Sequence, residues 1–190
     1  MIRAVIFDCF GVLVTETWSN FKQEQLGHDP ELMQQGSDLL TQANAGLITH
    51  LDFEQRVAEL AGLSLEDFRA IIDDTPANKP LFGYITELKL RYKIGMLSNA
   101  ADDWLSHLFD ESQLALFDGI VLSYEAGVIK PDARAYELIA ERLEVPIENC
   151  VFIDDQERFC TAAKEAGMQA VVYRDFQQMK AELEEVLKQS

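Results

Sequence analysis

Five short apolar runs constrain this chain more than anything else in it. They are Ala4-Val5-Ile6-Phe7, Ile94-Gly95-Met96-Leu97, Gly119-Ile120-Val121-Leu122, Cys150-Val151-Phe152-Ile153 and Ala170-Val171-Val172-Tyr173. Four of the five are rich in Val or Ile, and none alternates strictly with polar residues. A strand with one wet face alternates, whereas a strand covered on both faces does not. The runs therefore predict strands of a parallel sheet sandwiched by helices. The stretches between them supply those helices. Ala135, Leu138, Ile139 and Leu143 recur at helical spacing, as do Phe176, Met179, Leu183, Val186 and Leu187. The fold class that follows is α/β, a doubly wound parallel sheet.

One insertion breaks the rhythm. About eighty residues separate the first run from Ile94, and none of them reads as a strand. Asp29-Pro30 reads as an N-cap followed by proline at the first helical position. Ser64-Leu65-Glu66-Asp67 resembles a capping box, and Gly27, Gly46 and Gly62 punctuate the helices. The expected division is an α/β core of residues 1–14 and 78–190, with a small helical subdomain at 15–77 inserted after the first strand. Pro76 and Pro80 bracket the return.

Charge bounds the partners. Lys plus Arg number 16 and Asp plus Glu 33, a net −17. Such a surface repels nucleic acid and anionic membranes, and an anionic substrate needs a local cationic site. No run approaches the ~18 apolar residues of a membrane span, and Asp8 interrupts the N-terminal run where a signal peptide would stay apolar. Cys9, Cys150 and Cys160 fit neither a zinc template nor a disulfide framework. The simple expectation is a reduced, cytoplasmic protein. Its oligomeric state, monomer or homodimer, is not legible.

Parallel sheets place their chemistry at the carboxyl ends of strands. Those ends carry Asp8, Ser98-Asn99, Ser123 and Asp154-Asp155, with Lys130 shortly after the third strand. Clustered carboxylates repel one another, and Mg²⁺ held by oxygen ligands relieves that. Lys130 as a point charge, Ser98 as a donor, and backbone N–H groups after Asp8, including Gly11, suit a phosphoryl or carboxyl anion. Each residue alone has a plainer reading: Asp8 as a turn or cap, Ser98-Asn99 and Asp154-Asp155 as helix caps, and Lys130 as a solvated lysine. Cys9 reads as a small buried hydrophobe. Trp18, Phe21, Trp104, His28, His50 and His107 read as helix-face residues, with Trp18 and Asn20 candidates to reach a substrate.

Phe7-Asp8-Cys9-Phe10-Gly11-Val12-Leu13, Leu97-Ser98-Asn99, Lys130-Pro131-Asp132 and Phe152-Ile153-Asp154-Asp155 together resemble the four ordered motifs of the haloacid dehalogenase (HAD) superfamily. The resemblance spans essentially the whole chain. The last motif is similar to the phosphatase branch near the sugar-1-phosphatases and the N-terminal domain of soluble epoxide hydrolases. The resemblance implies a Rossmann-like core with a helical cap, and a Mg²⁺-dependent hydrolase of a small phosphorylated metabolite. Asp8 would be the nucleophile, forming an aspartyl intermediate. Mg²⁺ would be held by Asp8, the Phe10 carbonyl and Asp155, with Asp154 acting through water or orienting the site. Ser98, Asn99 and Gly11 would hold phosphoryl oxygens, and Lys130 would neutralise Asp8 and the transferring group.

Phe10 departs from that pattern. Phosphatases of the family carry an Asp there as general acid and base, and a phenyl ring transfers no proton. General acid–base help is worth roughly 10²–10⁴-fold. The expectation is slow turnover of alkyl phosphates, better use of aryl or acyl phosphates, and a longer-lived phosphoenzyme. Two alternatives stay open: a catalytically weak or dead relative that binds phosphate ligands or a partner protein, kept alive by Phe10, and a metal-independent dehalogenase-like enzyme, disfavoured by Asp154-Asp155.

Overall fold

A computed structural model describes residues 1–73, 75–102 and 105–188; Trp104 lies outside the described residues. Each apolar run forms a strand: β1 (Ala4–Phe7), β2 (Lys93–Ser98), β3 (Gly119–Leu122), β4 (Cys150–Asp154) and β5 (Gln169–Val172). All neighbours pair in parallel, in the order β3-β2-β1-β4-β5. β1 is therefore central, and all four of its residues are fully buried. That explains its unbroken apolar character.

Helices cover both faces. On one side α5 (Lys79–Leu88) and α11 (Phe176–Lys188) bury Leu81, Ile85, Met179 and Leu183 against Val5, Phe7, Ile94, Met96 and Ile153. On the other, α9 (Ala133–Arg142) and α10 (Glu157–Glu165) bury Tyr136, Ile139, Phe159 and Ala163 against Ala4, Ile6, Val121 and Phe152. The expected periodicity in α9 falls where it should, with Ala135 and Ile139 buried and Leu138 partly buried. After β1 the chain winds out through β2 to β3, then returns to β4 on the far side of β1. This reversal opens a crevice above the carboxyl ends of β1 and β4.

Residues 18–72 are helical, with α1 (Trp18–Phe21), a π-helical turn at Lys22–Leu26, α2 (Pro30–Asn44), α3 (His50–Leu60) and α4 (Leu65–Ile72). They bury their own cluster, in which Phe21, Phe53 and Phe68 meet edge to face. Asp29 caps α2 by accepting the Glu31 N–H at 2.8 Å, with Pro30 opening the helix. Ser64 caps α4, and the Asp67 carboxylate takes the Ser64 hydroxyl. Thr49 and Asp52 form a full capping box on α3 that the sequence reading passed over. The two connecting segments pair beside each other: Asn78 donates its N–H to Leu13 at 2.8 Å, and Thr15 donates to Pro76 at 3.3 Å. No helix among the described residues is long and apolar enough to cross a membrane.

Candidate active site

Asp8 is the first residue beyond β1. Its N–H still donates to Ile153 of β4 at 2.8 Å, so the sheet ladder aims its carboxylate into the crevice. Lys130 arrives from the segment after β3. The residue is 2% exposed, and its ammonium lies 2.9 Å from Asp8 Oδ1 and 2.6 Å from Asp154 Oδ2. Beneath it sit the rings of Phe152 and Phe159, centroids 5.1 and 4.9 Å away. A lysine this deep is tolerable because two carboxylates and two ring faces replace its water. Asn99 fixes the approach: its side-chain amide donates to the Lys130 carbonyl at 3.0 Å and accepts the Lys130 N–H at 2.8 Å.

Asp154 is completely buried and spends its second oxygen on the Gln156 N–H, 2.8 Å away, at the start of α10. One oxygen of Asp154 thus serves the turn that opens α10 while the other meets Lys130. Asp155 differs: its Oδ1 is buried without a hydrogen-bond partner. Asp8, Asp154 and Asp155 each bring a carboxylate oxygen within 4.8 Å of the others. Burial pushes the Asp8 carboxyl up to about 7, with Lys130 pulling down and Asp154 pushing further up. Burial pushes Asp155 up to about 6, Asp154 adds to that, and Lys130 opposes it. Three acids against one ammonium leave the cluster short of positive charge. An orphaned oxygen within an all-oxygen donor set of net negative charge fits a hard divalent cation such as Mg²⁺.

The loop after Asp8 is tightly wound. The Cys9 carbonyl accepts from Val12, Leu13 and Val14 at 3.3, 2.8 and 3.0 Å. Gly11 sits at φ +86°, and a Cβ there would lie 2.7 Å from Asp155 Cγ. Only glycine admits that carboxylate. The Gly11 N–H, expected to meet an anion, is donated instead to Val14 at 2.9 Å. Cys9 is buried, and burial drives its thiol well above the usual range, as an inert small hydrophobe requires. Ser98 is 1% exposed and its hydroxyl has no partner, a donor in reserve at the tip of β2. Ser123 is already committed, bonding Ala100 and accepted by the Asn44 carbonyl at 2.6 Å, so it ties α2 to the sheet.

A cavity of about 710 Å³ joins this cluster to the helical insertion. Asp8, Phe10, Asn99, Lys130 and Asp155 line it from the sheet side. Trp18 lines it from the other, while Asn20 is exposed and outside its wall. Phe10 is half-buried and rests against the core. Sequence reasoning missed Glu16, Lys22 and Arg158 in the wall. Nothing in their spacing marks them, because segments distant in sequence assemble the wall. It also missed the buried Glu54, bound by the Arg69 Nε at 3.0 and 3.2 Å and 3.3 Å from His50. The His50–Glu54 spacing of four was a readable signal.

The model of the haloacid dehalogenase-like hydrolase family matches residues 2–167. YhcW of Bacillus subtilis, which carries the name of a phosphatase, is 29% identical over 196 residues, covering 90% of this chain and 83% of that protein. Bifunctional epoxide hydrolase 2 of Sus scrofa is 24% identical over 214 residues; 97% of this chain is covered but only 39% of the hydrolase. The HAD family enzyme bt-2542 of Bacteroides thetaiotaomicron, solved with magnesium and inorganic phosphate, superposes with a TM-score of 0.74 at 24% identity, covering 92% of this chain and 95% of that one. At that identity the superposition speaks for the fold.

Proposed function

We propose that this chain, which belongs to the haloacid dehalogenase-like hydrolase family, is a Mg²⁺-dependent phosphatase of a small phosphorylated metabolite. The observation that carries this reading is the Lys130 ammonium, enclosed between Asp8 and Asp154 beside the orphaned oxygen of Asp155. In this reading Asp8 Oδ attacks phosphorus, the bond to the leaving oxygen breaks, and water then releases phosphate from the aspartyl intermediate. Lys130 offsets charge on Asp8 and on the transferring group. Asn99 acts through Lys130 by gripping its peptide, and the unengaged Ser98 hydroxyl is available to a phosphoryl oxygen. Asp8, the Phe10 carbonyl and Asp155 would hold Mg²⁺, with Asp154 behind them. The ion, when bound, would supply the positive charge that a transferring phosphoryl group needs.

Residues 15–77 act in this proposal as a cap over the core of 1–14 and 78–190, carrying specificity in side chains such as Trp18. The name of YhcW, a phosphatase, supports a phosphorylated substrate in kind only. Phe10 supports a second reading, a relative of weak activity. The test is a phosphatase panel with and without Mg²⁺, comparing wild type with Asp8→Asn. Mg²⁺-dependent turnover lost in Asp8→Asn sustains the proposal, and no turnover of any phosphate ester withdraws it in favour of the second reading.

A further inference from the structure

The proposed reaction leaves a proton unassigned. The aspartyl intermediate is hydrolysed by water, and Phe10 offers that water no base. Glu16 stands in the same cavity wall as Asp8 and Asp155. It lies just beyond the point where the two connecting segments pair, at Val14–Ala77 and Thr15–Pro76. The bonds from Val14 to Cys9 and from Gly11 to Val14 fix that point relative to Asp8. Glu16 is half-buried, and both its oxygens accept the Ser19 N–H at 3.0 Å, which holds the carboxylate at the opening of α1. The other carboxylates near Asp8 have other roles in this reading: Asp154 pairs with Lys130 and accepts from Gln156, and Asp155 is assigned to the candidate metal set.

We infer that Glu16 is the general acid and base of this site, taking the role that Phe10 cannot fill. This rests on the phosphatase reading above. In the first step the Asp8–phosphorus bond forms and the ester bond breaks, and a proton on Glu16 passes to the departing alkoxide. In the second, water forms a bond to phosphorus, the Asp8–phosphorus bond breaks, and the water proton passes to the Glu16 carboxylate. Phosphate and alcohol leave, and Glu16 regains the proton it lost. A carboxylate from the connecting segment suits both steps, since it reaches the cavity while remaining open to solvent for proton exchange.

The test uses p-nitrophenyl phosphate with Mg²⁺ in stopped flow. Its leaving group needs no proton, so Glu16→Gln should form the phosphoenzyme at close to the wild-type rate but fail to hydrolyse it. The expected trace is a burst of about one p-nitrophenolate per enzyme followed by a steady state slowed roughly 10²-fold. A residue that merely held α1 in place would slow both phases alike. Gln keeps an acceptor for the Ser19 N–H, so its thermal transition should match wild type. Glu16→Asp keeps the carboxyl on a shorter arm and should lose less than Glu16→Gln. Wild-type kinetics in Glu16→Gln, slowing without a burst, or equal losses in the Gln and Asp variants would overturn the inference alone. If wild type turns over no p-nitrophenyl phosphate, the phosphatase reading falls and this inference with it.

Discussion

Asp8→Asn should stabilise the metal-free protein even as it removes the proposed nucleophile. Asp8 is enclosed, and its carboxyl is raised from 3.8 to about 7, chiefly by burial. That is roughly three units, and at about 1.36 kcal/mol per unit the ionised form costs about 4 kcal/mol. An acid with a raised folded-state value holds its proton more tightly when folded. Below about pH 4 both states are protonated and there is no penalty; stability then falls as pH rises towards 7 and the full penalty applies above. Asparagine carries no charge and escapes it. The substitution gives up one contact of Lys130, at 2.9 Å, but the 2.6 Å pairing with Asp154 remains. A net gain of about 1–3 kcal/mol at pH 8 follows once that loss is deducted. For a chain of this length each kcal/mol moves Tm by about 2–4 °C. The assay is thermal unfolding of both proteins in chelator at pH 8 and pH 5.5. The advantage of the variant should be clear at pH 8 and smaller by about 2 kcal/mol at pH 5.5, where only about half of the ionisation penalty remains while the lost Lys130 contact is unchanged. Saturating Mg²⁺ should reverse the order, because only wild type keeps all its carboxylate ligands. An equal or lower Tm for the variant at pH 8 in chelator, or a gain that grows towards acid, refutes this reasoning.

Lys130→Ala leaves Asp8 and Asp154 facing each other without a cation, and should cost about 3–5 kcal/mol in urea unfolding and at least about 10²-fold in turnover; unchanged kinetics remove Lys130 from the site. Gly11→Ala forces a side chain into positive φ and against Asp155. It should cost about 1–3 kcal/mol and weaken Mg²⁺ binding in calorimetry, and an unchanged Mg²⁺ affinity shows that Asp155 is not a ligand. Phe10→Asp in a Glu16→Gln background should restore steady-state p-nitrophenyl phosphate turnover by about 10-fold or more; no recovery means the ring position does not reach the attacking water.

What the sequence disclosed and what it hid divide along a physical line. Strands buried on both faces must be continuously apolar, so Ala4–Phe7 and Cys150–Ile153 were legible as unbroken apolar runs. Asp8, Asp154 and Asp155 were legible because a polar residue directly after such a run sits at a strand tip. Lys130 required more, since a lysine before proline is ordinarily a solvated loop residue and its 2% exposure depends on carboxylates from two other segments. Gly11 shows the reverse. A glycine two residues beyond Cys9 suggested a free N–H for an anion, but the loop winds tightly enough to use that N–H internally. The glycine serves instead to let Asp155 come close. The cavity wall was least legible. Trp18 was anticipated, but Glu16 comes from the connecting segment and Lys22 from the inserted helices, where side-chain direction depends on how these segments meet the sheet. No periodicity carries that information.

The strand order explains why the costly cluster sits where it does. β1 has β2 on one side and β4 on the other, so the tips of β1 and β4 are the one pair of neighbouring strand ends at which the chain reverses direction. Crossover helices diverge there and cannot cover the tips. Asp8 and Asp154 are adjacent because Phe7 pairs with Ile153 in the register. The same pairing that stabilises the sheet therefore forces two carboxylates together, and Asp155 follows by chain continuity. Burial then raises the cost of leaving them ionised. Lys130 offsets part of that charge and Asn99 holds Lys130 to the task, yet an uncompensated excess remains. A chain selected only for stability would place asparagine at position 8. Retaining aspartate, at the cost worked out above for the metal-free state, is the expected signature of a site whose stable form includes a cation and an anionic substrate.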